Sequence, residues 1–115
     1  MDHRRQSRAG QRAAWDTYFA VTTSLIPALG VEPARRDATV NPRLGAVVLR
    51  IHRYAPMWGE HGPMLACAGR SAVRLYRHGV WSDLAALLAV IAERLYVLSL
   101  GLPPPCPGPG GRPAP

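Results

Sequence analysis

The residue types that most often carry catalysis or bind metals are sparse in this sequence. Its four histidines are His3, His52, His61 and His78. None of them stands at the spacing of a helical zinc pair such as HExxH, and the two cysteines form no CxxC motif. No serine lies in a GxSxG turn, and no glycine-rich phosphate loop precedes a helix. We therefore expect no catalytic residue, no metal site and no cofactor-binding residue in this chain.

Three arginines form the best candidate for a binding site. Arg70, Arg74 and Arg77 stand at positions i, i+4 and i+7, so a helix places them on one face. Guanidinium groups on an exposed face can hold phosphates through paired hydrogen bonds. The alternative is a solvated face, because all 14 basic residues are arginine, a composition typical of a GC-rich gene. The three residues are a candidate anion-binding face.

Length and charge limit the classes of function. The chain has 115 residues, enough for one small domain, and its mean hydropathy of −0.04 argues against an integral membrane protein. The net charge is +7, and residues 43–78, with six Arg and one Glu, carry +5 of it. Nucleic acid, an anionic lipid surface or an acidic protein are therefore suitable partners. Without a disulfide framework or a secretory signal, we expect a cytoplasmic protein.

Two of the four predicted helices lie in the first half of the sequence. The first ends at Gly30, and residues 31–40, which show no period, are predicted to be a linker. Asn41 caps the second helix, with Pro42 at its first position, and Pro56 ends or kinks it. The first helix has an apolar stripe that we expect in the core: Trp15, Tyr18, Phe19, Thr22, Leu25, Ile26 and Leu29. The stripe of the second helix comprises Leu44, Val47, Val48, Ile51, Ala55 and Trp58.

The other two predicted helices lie in the second half. The third runs over residues 63–78 and stops at Gly79, while the fourth has Ser82 as its N-cap and covers residues 83–100. The fourth is apolar on nearly all sides, more than a thin bundle can bury, so we expect a homo-oligomer. Two charges in its interior make it a poor transmembrane span. The predicted self-association face comprises Leu84, Ala89 and Leu95.

These elements predict an all-α fold, a small bundle of about four helices. Residues 1–11 are predicted to be a basic N-terminal arm and residues 12–101 the helical domain. Residues 102–115 contain seven Pro and three Gly, which cannot form a helix or a sheet ladder, so we expect a disordered tail.

The order of the motifs in residues 41–105 resembles a known family. A helix opened by NPR, an apolar run ending VVLRIHRYA, a Gly/Pro break, the segment SAVRLYRHGV, a long apolar helix and then GLPPP follow one another. This order is similar to the helical region that precedes the left-handed β-helix in serine O-acetyltransferase-like proteins of the hexapeptide-repeat class. In those proteins the β-helix carries the active site and binds acetyl-CoA. No [LIV]-G-x-x-x-x repeats follow Pro105 here, so no catalytic residue can be transferred to this chain.

The resemblance implies a helical support and oligomerisation module, truncated and inactive alone, whose full-length relative would use acetyl-CoA. A second hypothesis is an Arg-rich helical module that binds nucleic acid through Arg50, Arg53, Arg70, Arg74 and Arg77. A third is a peripheral membrane protein that uses residues 83–100.

Overall fold

The structure is a computed structural model that describes residues 8–101, and every regular element in that range is helical. Helix α1 spans Arg8–Ala20 and continues through a π-helical turn, Val21–Leu25, into the short α2, Ile26–Ala28. These three segments follow one another without a break and form one rod. The first helix therefore includes residues 8–11, which the sequence analysis assigned to the N-terminal arm.

Three further helices complete the described part of the chain. Helix α3 spans Pro33–Tyr54 and is followed by a 3-10 turn, Ala55–Trp58. Helix α4 spans His61–Arg77, and α5 spans Trp81–Ser99. With the N-terminal rod they make four long helices, so the predicted all-α fold of about four helices is confirmed. The predicted arm up to residue 7 and the predicted Pro/Gly-rich tail lie outside the described residues.

The helices enclose a single apolar core. Helix α1 packs mainly along α5, α4 lies between α3 and α5, and α3 also contacts α1. Each long helix contributes one stripe of side chains spaced three or four residues apart, as an amphipathic helix must. In α3 the buried stripe is Val40, Leu44, Val47 and Ile51, and in α5 it is Leu84, Leu88, Ile91, Ala92, Leu95 and Leu98. Most of these positions in α3 and α5 are those that the periodicity predicts.

The predicted core stripe of the first helix is wrong for Trp15 and Phe19, whereas Tyr18 is partly buried and packs against the core. Trp15 is 43% exposed and Phe19 is 55% exposed. The face that α1 buries consists of small residues instead: Gly10, Ala13, Ala14 and Thr17. The buried Thr17 hydroxyl donates to the Ala13 carbonyl over 2.8 Å, so it carries no unpaired polar group into the core. Small side chains allow α1 to pack closely, and the larger aromatic groups are directed outward.

The predicted linker is also wrong, because α3 begins eight residues before Asn41. Pro33 occupies its first turn, where a fixed φ and a missing N–H cost nothing, and Pro42 lies inside the helix. An interior proline removes one helical hydrogen bond, but Val40 and Leu44 on either side of it are buried in the core. Burial of this stripe outweighs the local cost.

The predicted end of α4 agrees with the structure, whereas the predicted start of α5 does not. Gly79 has a positive φ of 68°, the left-handed conformation that ends a helix, so the predicted stop is confirmed. Helix α5 then begins at Trp81, not after a Ser82 cap. Helix α5 thus starts two residues before residue 83, and the Trp81 ring packs edge-on against Tyr76 with centroids 5.7 Å apart.

Two buried contacts fasten the 3-10 turn to the helices around it. The buried Trp58 indole N–H donates to the Gly10 carbonyl over 2.9 Å, which ties the turn to α1. Gly62, near the start of α4, is also buried, and a Cβ placed on it would stand 2.1 Å from the Ala55 carbonyl oxygen. The α4 backbone therefore approaches the turn more closely than any side chain permits.

We predict that Gly62→Ala and Gly45→Ala have opposite effects on stability. The new Cβ at residue 62 meets backbone atoms that cannot rotate away, so unfolding should become easier by about 3 kcal/mol or more. Gly45 is exposed within α3 and has nothing within 4 Å of its added Cβ, so alanine should stabilise the protein by about 0.5–1 kcal/mol. Urea unfolding followed by far-UV circular dichroism measures both. Equal stabilities of the two variants would contradict the close approach at Gly62.

Candidate functional site

Groups suited to catalysis or metal binding do not converge in the described part of the chain. Among residues 8–101, no three His, Cys, Asp or Glu side chains stand close enough to hold a metal ion. A shallow depression of about 300 Å³ lies beside the 3-10 turn, lined by His52, Ala55, Pro56, Gly59, Pro63 and Ala66. His52 is its one ionisable side chain, and the lining contains no hydroxyl or thiol that the imidazole could activate.

The three arginines of the candidate anion-binding face do lie together. Arg70, Arg74 and Arg77 are exposed on α4, on the side that adjoins α3. Two contacts locate that side. A Cβ on Gly69 would lie 3.7 Å from the Val48 methyl groups, and an Arg70 guanidinium nitrogen stands 3.4 Å from His52 Nε2. We call the three residues the arginine face.

The His52 ring is held in one orientation beside the arginine face. Its Nδ1 lies 3.0 Å from the Val48 carbonyl oxygen, which can only accept, so the proton is on Nδ1. The other ring nitrogen lies 3.4 Å from an Arg70 guanidinium nitrogen, which can only donate. One of the five N–H groups of Arg70 is used in this contact, and no carboxylate of residues 8–101 forms an ion pair with it.

Arg50 and Arg53 do not join the arginine face, contrary to the set of five that the nucleic-acid hypothesis used. At about 100° per residue, Arg50 lies about 200° around α3 from His52, on the side turned away from α4. Arg53 instead stacks over the Tyr54 ring, with its guanidinium carbon 5.6 Å from the centroid. The structure therefore reduces the candidate site to the three arginines of α4.

Carboxylates are scarce around the arginine face. Within residues 8–101 the ion pair of an arginine with a carboxylate at 4.0 Å or less is Arg12 with Asp16, on α1. Asp37, on α3, instead accepts a hydrogen bond from the Tyr76 hydroxyl of α4. That hydrogen bond, with burial and the negative charge of Asp37 as smaller causes, raises the pKa of Tyr76 from 10.0 to about 12.

The same end of the bundle contains a cluster that joins α3, α4 and α5. The Arg36 guanidinium carbon lies 4.8 Å from the centroid of the Trp81 ring, and Trp81 packs on Tyr76. The Nε atom of Arg36 is buried and has no hydrogen-bond partner in the described structure. Stacking on the indole face offsets part of that cost. The cluster holds together the start of α3, the end of α4 and the start of α5.

The predicted self-association face on α5 is wrong for two of its three residues. Leu84 and Leu95 have no exposed surface and belong to the core, whereas Ala89 is exposed. The error has a geometric cause. Leu84 and Leu95 are eleven residues apart and share one side of the helix, while Ala89 lies about 120° away from Leu95. Charged substitutions at Leu95 would unfold the protein before they tested any contact between copies.

A different apolar surface crosses α1 and α5, and the sequence analysis missed it. The Trp15 and Tyr18 ring centroids lie 5.4 Å apart, and Tyr18 and Tyr96 lie 5.3 Å apart, so the three rings form a continuous row. Phe19 follows Trp15 by one helical turn on α1. We call Trp15, Tyr18, Phe19 and Tyr96 the aromatic ridge. The small-residue spacing Gly10, Ala13, Ala14 and Thr17 could have revealed it, because that series marks the true buried face.

No helix within residues 8–101 combines the length and the hydropathy needed to cross a membrane.

Comparison with known proteins yields no match to a family model, to a curated protein or to a solved structure. The resemblance to serine O-acetyltransferase-like proteins, and with it any role for acetyl-CoA, stays a prediction based on the motifs in residues 41–105. The cytoplasmic location likewise stays a prediction.

We predict that Tyr76→Phe lowers the free energy of unfolding by about 1 kcal/mol at neutral pH, because one hydrogen bond between α3 and α4 is lost. The pH dependence should change as well. Since the pKa of Tyr76 is higher in the folded state, its contribution is complete below pH 10 and is lost as pH rises through about 12. Urea unfolding at neutral pH and between pH 10 and 12 measures both effects.

At each pH the free energy of unfolding of Tyr76→Phe is subtracted from that of the wild type. The other tyrosines are common to both proteins, so their titration cancels in this difference. The stability gap between wild type and Tyr76→Phe should narrow as pH rises from 10 to 12. A gap that stays constant over this range would show that the Asp37 contact does not hold the Tyr76 proton.

Proposed function

We propose that this chain is a helical interaction module that self-associates through the aromatic ridge. The observation that carries the proposal is the row of rings on α1 and α5. Trp15, Phe19 and Tyr96 expose 43%, 55% and 42% of their surface, and large aromatic rings dominate the energetics of protein interfaces. Leu100, at the end of α5, is 50% exposed and extends the apolar surface.

The composition of the ridge is that of a protein interface. Tyrosine, tryptophan and arginine dominate the residues that contribute most to binding between proteins. Arg8 and Arg12 lie on α1 beside the rings, and Arg12 already pairs with Asp16 at 3.6 Å. Glu93 is exposed on α5. Both signs of charge therefore border the apolar surface, which suits a twofold contact in which each copy offers an arginine to a carboxylate of the other.

The size of the surface sets the strength of the contact. A buried aromatic side chain covers about 150–250 Å², so three rings that are about half exposed offer about 300 Å². A stable interface needs about 800 Å² from each partner. The three rings offer less than half of that area, so the ridge is too small for an obligate dimer, and we expect a weak, concentration-dependent one. We expect association in the micromolar range or above.

The sequence also suggests that the chain forms oligomers, but it places the contact at a different surface. The contact lies on α1 and the outer side of α5, in place of the leucine stripe of α5. A role as the helical support of a hexapeptide-repeat enzyme is compatible with such a contact. That role is supported by the motif order in residues 41–105.

Sedimentation velocity over a range of concentrations tests the proposal with three single substitutions. Phe19→Glu and Tyr96→Glu should each convert the wild-type mixture to monomer, because a carboxylate in the contact would lose its water without gaining a partner. Leu49→Glu is the matched control. Leu49 is 72% exposed on α3, outside the ridge, so the same change there should leave association unchanged.

Two outcomes would refute self-association through the ridge. One is a wild-type chain that sediments as a monomer at every concentration. The other is dispersal by Leu49→Glu as effective as dispersal by the ridge variants, which would indicate general hydrophobic aggregation. If the monomer binds vesicles of anionic lipid and loses that binding in Phe19→Glu, the ridge is a membrane contact and the proposal is wrong.

A further inference from the structure

We propose that the arginine face binds consecutive phosphates of a nucleic-acid backbone. This site is separate from the aromatic ridge and does not depend on self-association. Arg70, Arg74 and Arg77 are all exposed on the α3-facing side of α4 and project from a rigid helix.

The spacing of the three side chains suits a linear array of charges. At 1.5 Å of rise per residue, Arg70 and Arg74 are about 6 Å apart along the helix axis, and Arg74 and Arg77 about 4.5 Å. Phosphates along one strand of a duplex advance about 3.4 Å each along its axis. Long arginine side chains can bridge the difference, so each guanidinium can reach its own phosphate and hold it through two hydrogen bonds.

The three cations are available for a ligand. No carboxylate within residues 8–101 lies within 4.0 Å of any of them. The carboxylate on the neighbouring part of α3, Asp37, accepts from Tyr76. Arg70 places one guanidinium nitrogen 3.4 Å from the His52 ring, and its other N–H groups remain for another acceptor. By contrast, Arg12, Arg43 and Arg94 already have side-chain partners elsewhere: Asp16, Ser24 and Met64.

The surroundings favour a nucleic acid over a lipid surface. A peripheral membrane helix places its cations beside Trp, Phe or Leu side chains that enter the bilayer. Here the exposed Trp15 and Phe19 lie on α1, while the arginines lie on α4. Tyr76, the aromatic residue nearest in sequence to the arginine face, donates a hydrogen bond to Asp37 and packs against the Trp81 ring. The site therefore contacts the backbone and leaves the bases unread, so we expect little sequence preference.

Fluorescence anisotropy with labelled oligonucleotides, single-stranded and duplex, tests the site. Three phosphate contacts predict a slope of log affinity against log salt of about −2.7 on duplex and about −2.1 on a single strand. Replacing Arg70, Arg74 and Arg77 together by Gln should weaken binding at low salt by at least about tenfold and flatten the slope towards zero. All three side chains are exposed, and circular dichroism should show an unchanged fold.

A matched control removes the same charge from the other side of α3. Arg35, Arg50 and Arg53 are all exposed, and their joint replacement by Gln also lowers the net charge by three. This variant should keep affinity within about twofold and keep the salt slope of the wild type.

Three results would overturn the proposal. The first is wild-type protein with no salt-dependent binding to either oligonucleotide. The second is equal loss in both triple variants, which would mean that affinity follows net charge alone. The third is binding to vesicles of anionic lipid, abolished in the arginine-face variant, at salt concentrations where neither oligonucleotide binds.

Discussion

The small side chains on one face of α1 are the constraint on which the rest of the structure depends. Gly10, Ala13 and Ala14 offer almost no volume to the core, so α1 lies close against α5 and the remaining volume is filled by leucines of α5. The Trp58 indole N–H donates to the Gly10 carbonyl on this same buried face. Once that face is fixed inward, the 3.6-residue period obliges Trp15 and Phe19 to face water.

The packing of α1 explains which core positions can be predicted from the sequence and which cannot. The periodicities of α3 and α5 locate most of their core positions, since the large aliphatic residues of these helices recur on one side. In α1 the larger hydrophobic residues lie on the wrong side, and a reading that ranks residues by hydrophobicity selects them. The face that is buried consists of residues of low hydrophobicity, and it is favoured because small side chains let α1 pack closely against α5. This gain depends on both helices, so the sequence of α1 alone does not reveal it.

The interior Pro42 and the two unused caps, Asn41 and Ser82, have a related cause. Local rules place a helix start at Asn41 and another at Ser82, where side chains could satisfy free N–H groups. The chain instead forms helix earlier at both places, where Val40 is buried in the core and the Trp81 ring packs against Tyr76. For the candidate site, spacing alone was enough to group the three arginines of α4. It could not show that Arg50 lies on the far side of α3, since that depends on which side of α3 contacts α4.

The two surfaces proposed for binding lie on different helices, and this separation has a consequence for any assembly. A contact through α1 and the outer side of α5 leaves α4 free, because α4 meets the rest of the bundle through α3 and α5. A dimer through the ridge would therefore carry two arginine faces, each with its guanidinium groups in water. Two linked sites on one flexible polymer raise the effective concentration for the second contact without any new interaction. A ridge too small for an obligate dimer would then gain stability from the polymer that both copies hold, so binding and assembly would each strengthen the other.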